Sequence, residues 1–149
     1  MKEKKKILLY GVGTFKNKGV EAIINSTINQ IDFSKFDVTV ASHDNSYNSK
    51  FYNKLNHVKH YYKSNELTEE ERKKEEEYKN MPFDYNNFEL LYQKDVVESL
   101  KESDICISVG GDNYCYDYCT WLYALDNLSH RLGKKTVLWG ASLFEEIND

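Results

Sequence analysis

Proline occurs once in this chain and cysteine three times. No apolar run approaches the roughly 20 residues that a bilayer-spanning helix needs. An odd cysteine count excludes a closed disulfide framework. Cys106 lies inside an apolar stretch and reads as a core thiol, inert through burial. Cys115 and Cys119 are four apart and could share a helix face, but two thiols are too few ligands for a metal. No metal site is expected. The basic run Lys4–Lys6 is followed by a short, glycine-broken apolar stretch without a small-residue cleavage site. That pattern is a strand behind a solvated edge, not a secretory signal. Excess positive charge is also missing. A net charge of -4 gives no general attraction for nucleic acid or an anionic membrane. A cytoplasmic protein without a transmembrane segment is the expectation.

What is present is a globular composition. The 149 residues are 40% hydrophobic and 30% charged, enough for a single domain with a sizeable core. There are no internal repeats. The stretch Lys6–Tyr10 is apolar without alternation, the pattern of a strand buried on both faces of a parallel sheet. A helix is predicted from about Gly19 to Ile31, with Ala22, Ile23, Ile24, Ile28 and Ile31 at helical spacing. A second strand follows at Asp37–Ser42, a helix at Ser46–Leu55 and a third strand near Val58–Tyr62. The segment Leu67–Asn80 is densely charged. Thr68 and Glu71 have capping-box spacing, and Glu69–Lys73 and Glu70–Lys74 have favourable ion-pair spacing. With almost no apolar stripe, it predicts a solvated helical insertion (about 66–80) projecting from the domain and ended by Met81-Pro82. A partner-binding role is the less favoured reading.

A further helix is predicted at Asn87–Glu102, with Leu90, Leu91, Val97 and Leu100 as core candidates. The fourth strand is Asp104–Val109, apolar again. A helix from Tyr116 to Leu132 carries Trp121, Leu122, Leu125, Leu128 and Leu132 on one face, closed by Gly133. The fifth strand is Thr136–Trp139. Alternating strands and helices predict an α/β fold of the Rossmann-like kind, a parallel sheet in the order 3-2-1-4-5 with helices on both faces. The first and fourth strands are then neighbours, and the topological switch point, where such sheets bind ligands, lies between their carboxyl ends.

Two glycine-rich loops meet there. Gly11–Gly19 brings backbone N–H groups and a helix N-terminus toward a ligand, a setting suited to phosphate or carboxylate. It is not a nucleotide fingerprint: Lys16 stands where a dinucleotide motif needs its third glycine, and no Gly-Lys-Ser/Thr follows. A ligand-free turn is the competing reading. Candidate binding residues here are Gly13, Thr14, Asn17, Gly19 and Glu21. Asn17 is equally a helix cap, and Glu21 a stabilising first-turn charge. The second loop, Gly110-Gly111-Asp112-Asn113, sets polar groups at the end of a buried strand. Asp112 is the candidate catalytic residue, a general base or a ligand of a sugar hydroxyl, with helix capping as the alternative. Gly110, Gly111, Asn113 and Ser142 complete the candidate binding set. His43 faces the same crevice or is a plain loop histidine. His57, His60 and His130 have no evident nucleophile partner. Tyr114, Tyr116, Tyr118 and Trp121, surrounding Asp117, offer aromatic faces for a sugar, though helical spacing makes some of them core.

Three segments resemble the polysaccharide pyruvyl transferase family. The opening ILLYGVGTFKNKGVEAIINSTINQI has that family's strand, glycine turn, Asn-x-Gly and acidic-Ala step at Asn17, Gly19, Glu21 and Ala22. Val20 stands where many members have Asp. The stretch DICISVGGDNY resembles the second element, at Asp104, Gly110, Gly111 and Asp112. LGKKTVLWGAS resembles the third, at Gly133, Lys134, Gly140 and Ser142, followed by Leu143-Phe144-Glu145 where members have Gly-Pro. The resemblance implies one half of a glycosyltransferase-B-like architecture. It also implies transfer of a pyruvyl group from phosphoenolpyruvate, a co-substrate, to a saccharide acceptor of a cell-surface polysaccharide, with no further cofactor. In the family, basic residues of a C-terminal domain take a large part in holding phosphoenolpyruvate. Residues 1–149 are therefore expected to be a single N-terminal domain, inactive alone, with the C-terminal domain absent. A homo-oligomer is compatible with this. The competing expectations are half of a nucleotide-sugar glycosyltransferase and a non-catalytic binding module.

Overall fold

Apolar strands that run without alternation must be covered on both faces, and the fold meets that demand. The computed structural model describes residues 3–81, 85–115 and 119–142. Strands β1 (Lys5–Val12), β2 (Phe36–Ser42), β3 (Asn56–Lys59), β4 (Ile105–Gly111) and β5 (Lys135–Ala141) form one sheet. Its order is β3-β2-β1-β4-β5 and every pairing is parallel. The Rossmann-like α/β topology expected from the alternation is thus what the chain adopts. Helices are α1 (Lys18–Ile28), α2 (Asn45–Phe51), α3 (Glu69–Asn80), α4 (Tyr85–Leu91), α5 (Lys94–Glu102) and α6 (Thr120–Arg131). None among the described residues is long and apolar enough to cross a membrane.

Successive β1 side chains serve opposite cores. Ile7 and Leu9 pack with Phe15, Ile24, Val38 and Val40. Leu8 and Tyr10 pack with Val96, Leu100, Cys106, Leu122 and Leu125. Each buried aliphatic side chain contributes about 1.5–3 kcal/mol of transfer free energy, so the central strands hold the sheet together. Cys106 is fully buried, and burial pushes its thiol pKa up, in keeping with an inert core cysteine. Strand β5 differs. Leu138 is 48% exposed and Trp139 41%, on opposite faces of the outer strand.

Several boundaries and one placement depart from the sequence expectation. The first helix stops at Ile28 and the second at Phe51. Strand β3 occupies residues 56–59, so His60 lies beyond its end. The single helix expected over Asn87–Glu102 is two. The Tyr92 carbonyl is diverted to the Tyr62 N–H, 2.8 Å away, and Gln93 leaves the helical region. Helix α6 begins at Thr120, so Cys115 and Cys119 share no helix face. Leu132, counted among the core face, is 44% exposed beyond the last turn, although Gly133 closes the helix at φ 65° as expected.

The charged helix α3 does not project. Its capping box forms, with Thr68 N–H donating to Glu71 at 2.7 Å and Glu71 N–H to Thr68 Oγ1 at 3.3 Å. Glu70 pairs with Lys74 at 2.8 Å. The opposite face is docked. Glu75 is buried, accepts a hydrogen bond from the Tyr92 hydroxyl, and lies 3.4 Å from Lys79 Nζ. Glu71 pairs with Lys94 of α5 at 3.0 Å. Polar contacts anchor this helix where an apolar stripe was sought, so hydrophobic periodicity cannot reveal its docking.

Candidate functional site

The strands' carboxyl ends bring the predicted loops to one edge, and hydrogen bonds between the loops define it. Past the end of β4, Asn113 donates through Nδ2 to the Gly11 carbonyl at 2.6 Å and to the Val109 carbonyl at 3.0 Å. The Ser142 N–H donates to the Gly111 carbonyl at 2.6 Å. The ends of β1, β4 and β5 are thereby joined across the switch point. Gly110 is dictated by packing: a Cβ there would lie 2.2 Å from Ala141 Cα. Gly11 and Gly111 hold φ near 80°, where only glycine is unstrained.

Most polar candidates of the first loop are engaged within the protein. Asn17 is the α1 cap, its Oδ1 accepting from Gly19 N–H at 2.9 Å and Val20 N–H at 3.4 Å. Thr14 Oγ1 accepts from Lys16 N–H at 3.2 Å. Glu21 pairs with Lys18 at 2.7 Å. Gly19 serves the cap. Gly13 is different: apart from its chain neighbours, no heavy atom of the described residues lies within 4 Å of where its Cβ would stand. Its carbonyl accepts from the His43 N–H at 3.2 Å. The loop is braced from below by Phe15, buried against Tyr52 and bonded through its N–H to Asn48 Oδ1 at 3.2 Å.

Of the second loop, Asp112 is exposed and Asn113 is a brace between strands. Ser142 is exposed at the end of β5, its carbonyl 3.3 Å from Cys115 Sγ. Asp112 and Ser142 are exposed at this edge, as are Asn17 and Gly19 of the first loop, while Gly13 is half-buried. The aromatic reading divides. Tyr116, Asp117 and Tyr118 lie outside the described residues. Tyr114 turns its hydroxyl inward, to Ser108 at 2.5 Å and Asp126 at 2.8 Å.

The same edge carries a cluster that sequence reasoning did not assemble. His43 follows β2, His60 follows β3, and their rings meet edge-on with centroids 4.4 Å apart. His60 also meets the Trp121 ring at 4.3 Å. His60 is 1% exposed, and its Nδ1 has no hydrogen-bond partner among the described residues. Burial, then the neighbouring His43, lowers the His60 pKa to about 3; burial alone lowers that of His43. Both shifts favour the neutral ring, and His43 is the exposed one, beside Gly13. The available signal was position: each histidine stands one residue past a strand end.

No protein-family model matches the chain, and no curated protein matches it.

Proposed function

We propose that this chain is the N-terminal half of a polysaccharide pyruvyl transferase. It forms the saccharide side of an interdomain cleft, in a cytoplasmic enzyme that uses phosphoenolpyruvate. One observation carries this reading. The three segments that resemble the family fall on β1, β4 and β5, adjacent strands whose carboxyl ends are hydrogen-bonded into one edge. That edge is the switch point where open α/β sheets bind ligands.

Ketal formation joins two sugar hydroxyls to C2 of phosphoenolpyruvate, adds a proton at C3 and releases phosphate. A base near the acceptor hydroxyls and a polar wall to orient them suit this chemistry. Asp112, the exposed carboxylate at the end of β4, is assigned the base. Gly13 and Ser142 offer backbone and hydroxyl contacts to the sugar, and Gly11, Gly110, Gly111 and Asn113 set the wall's shape. Phosphoenolpyruvate is held chiefly by basic residues of a second domain, so the half alone is inactive. The helix N-terminus of α1 is already engaged by Asn17, which weighs against a diphosphate there and so against the nucleotide-sugar alternative.

The test is to assay the longest polypeptide that the gene encodes with phosphoenolpyruvate and a panel of saccharides. Phosphate release and a ketal methyl signal in the proton NMR spectrum are expected, both lost in Asp112→Asn. Absence of both products across a broad panel, with calorimetric binding of a nucleotide sugar, would replace this reading by a glycosyltransferase.

A further inference from the structure

A second polar feature lies on the face of the sheet, between α6 and β5. A pocket of about 380 Å³ is lined by residues that include Tyr114, Asp126, His130, Thr136, Val137 and Leu138. Its size is within the range of small-molecule sites. Asp126 supplies the carboxylate. Oδ1 accepts from the Tyr10 hydroxyl at 2.5 Å, and Oδ2 from the Tyr114 hydroxyl at 2.8 Å. Two phenols donating to the two oxygens suit an ionised carboxylate, which accepts through both. Tyr10 is fully buried, so the carboxylate is fixed from beneath.

The phenols orient the charge without cancelling it. Among the described residues, no lysine, arginine or histidine forms an ion pair with Asp126. Partly buried carboxylates ordinarily gain a cation, because removal from water penalises the charge. Burial accordingly pushes the Asp126 pKa up, against the downward pull of the two hydroxyls. The rest of the pocket completes the complement. Tyr114 offers a ring, with Tyr123 centred 5.9 Å from it, and aromatic faces attract cations. The half-exposed Leu138 offers apolar surface beside the charge.

We propose that this pocket binds an organic cation, an ammonium or guanidinium on a short apolar stem, with the charge on Asp126 and the stem on Leu138. The site is separate from the strand-end edge and does not depend on the transferase reading. The cation belongs to a free amine or to an arginine or lysine side chain of a peptide, and the probes separate the two.

The experiment is an amide NMR titration of the 149-residue chain with n-butylguanidinium, n-butylammonium, the neutral isostere N-butylurea and a blocked Gly-Arg-Gly peptide. Saturable shifts confined to α6 and β5 are expected for the cations, with N-butylurea at least about tenfold weaker, the value of a charge-assisted hydrogen bond. Asp126→Asn should weaken cation binding by about the same factor. Leu138→Ala, at an exposed position that tolerates truncation, should weaken it about threefold. Tighter binding of the butyl cations than of the peptide assigns a free amine, and the reverse a partner's side chain. Equal binding of N-butylurea, no saturable binding of any cation, or shifts mapping elsewhere would overturn the proposal. Should Asp126→Asn not fold, the cation-to-urea comparison on the unaltered chain and Leu138→Ala still decide it.

Discussion

Asn113 spans the two central strand ends, its side-chain amide 2.6 Å from the Gly11 carbonyl and 3.0 Å from that of Val109. One side chain thus satisfies carbonyls on β1 and β4 at the point where the ladder stops. Asn113→Ala removes both donors, and an expected loss of about 1–3 kcal/mol follows from two unsatisfied carbonyls. Asn113→Asp should cost more, since a carboxylate would then face two carbonyl oxygens. Urea unfolding midpoints check the order wild type, Ala, Asp. An Ala variant as stable as wild type would show that water replaces the brace.

Gly110→Ala is expected to be more damaging than Gly13→Ala. The added methyl at position 110 collides with the Ala141 backbone, whereas at 13 it meets nothing among the described residues beyond its chain neighbours. Overpacking at a strand–strand approach predicts about 3 kcal/mol or more for Gly110→Ala, and under about 1 kcal/mol for Gly13→Ala. Thermal unfolding of the two variants distinguishes them. If Gly13 lies against the acceptor, Gly13→Ala in the gene's longest product should raise the acceptor KM while leaving stability almost unchanged.

Buried Glu75 and exposed Glu77 lie on one helix with opposite expectations. Glu75→Ala strands the Tyr92 hydroxyl and frees the α3 face, costing about 1–3 kcal/mol. Glu77→Ala should stay within about 0.5 kcal/mol. Hydrogen exchange along residues 69–80 should accelerate only in the first. Equal protection in both would mean that α3 is held by its capping box alone.

His60 sets an acid limit on stability. Its pKa in the folded state, about 3, lies below the ordinary value of 6.5, so the unfolded chain takes the proton first. The contribution is complete above about pH 6.5 and is lost as pH falls toward 3, at about 1.4 kcal/mol per unit once well below 6.5. His43, also lowered, acts in the same direction. Subtracting the pH profile of His60→Leu from that of wild type isolates the slope from the carboxylates. Parallel profiles between pH 3 and 6 would show that His60 ionises freely.

The candidate site was legible in part. Gly11, Gly110 and Gly111 stood out because glycine after a buried strand announces a conformation or an approach that other residues resist. Asn17 as a cap was readable because capping is local, confined to four consecutive residues. Asn113 was visible as a polar residue at the edge, but its bond to Gly11 crosses about 100 positions of chain. The His43–His60–Trp121 cluster was illegible for the same reason: the rings follow β2, follow β3 and lie on α6, and only the tertiary fold brings them together.

Local periodicity determined by itself that strands and helices alternate, and with the chirality of crossovers that alternation made 3-2-1-4-5 the simplest sheet, the order the chain adopts. Short-range chemistry likewise determined the caps at Asn17 and Thr68 and the stop at Gly133. Tertiary structure alone decided that α3 docks through Glu75, that the helix before β4 breaks at Gln93, and that Asp126 stands between Tyr10 and Tyr114. These depend on polar contacts between residues distant in the chain. Polar contacts have direction and no period, so they leave no repeating mark in a sequence until the fold has set their partners side by side.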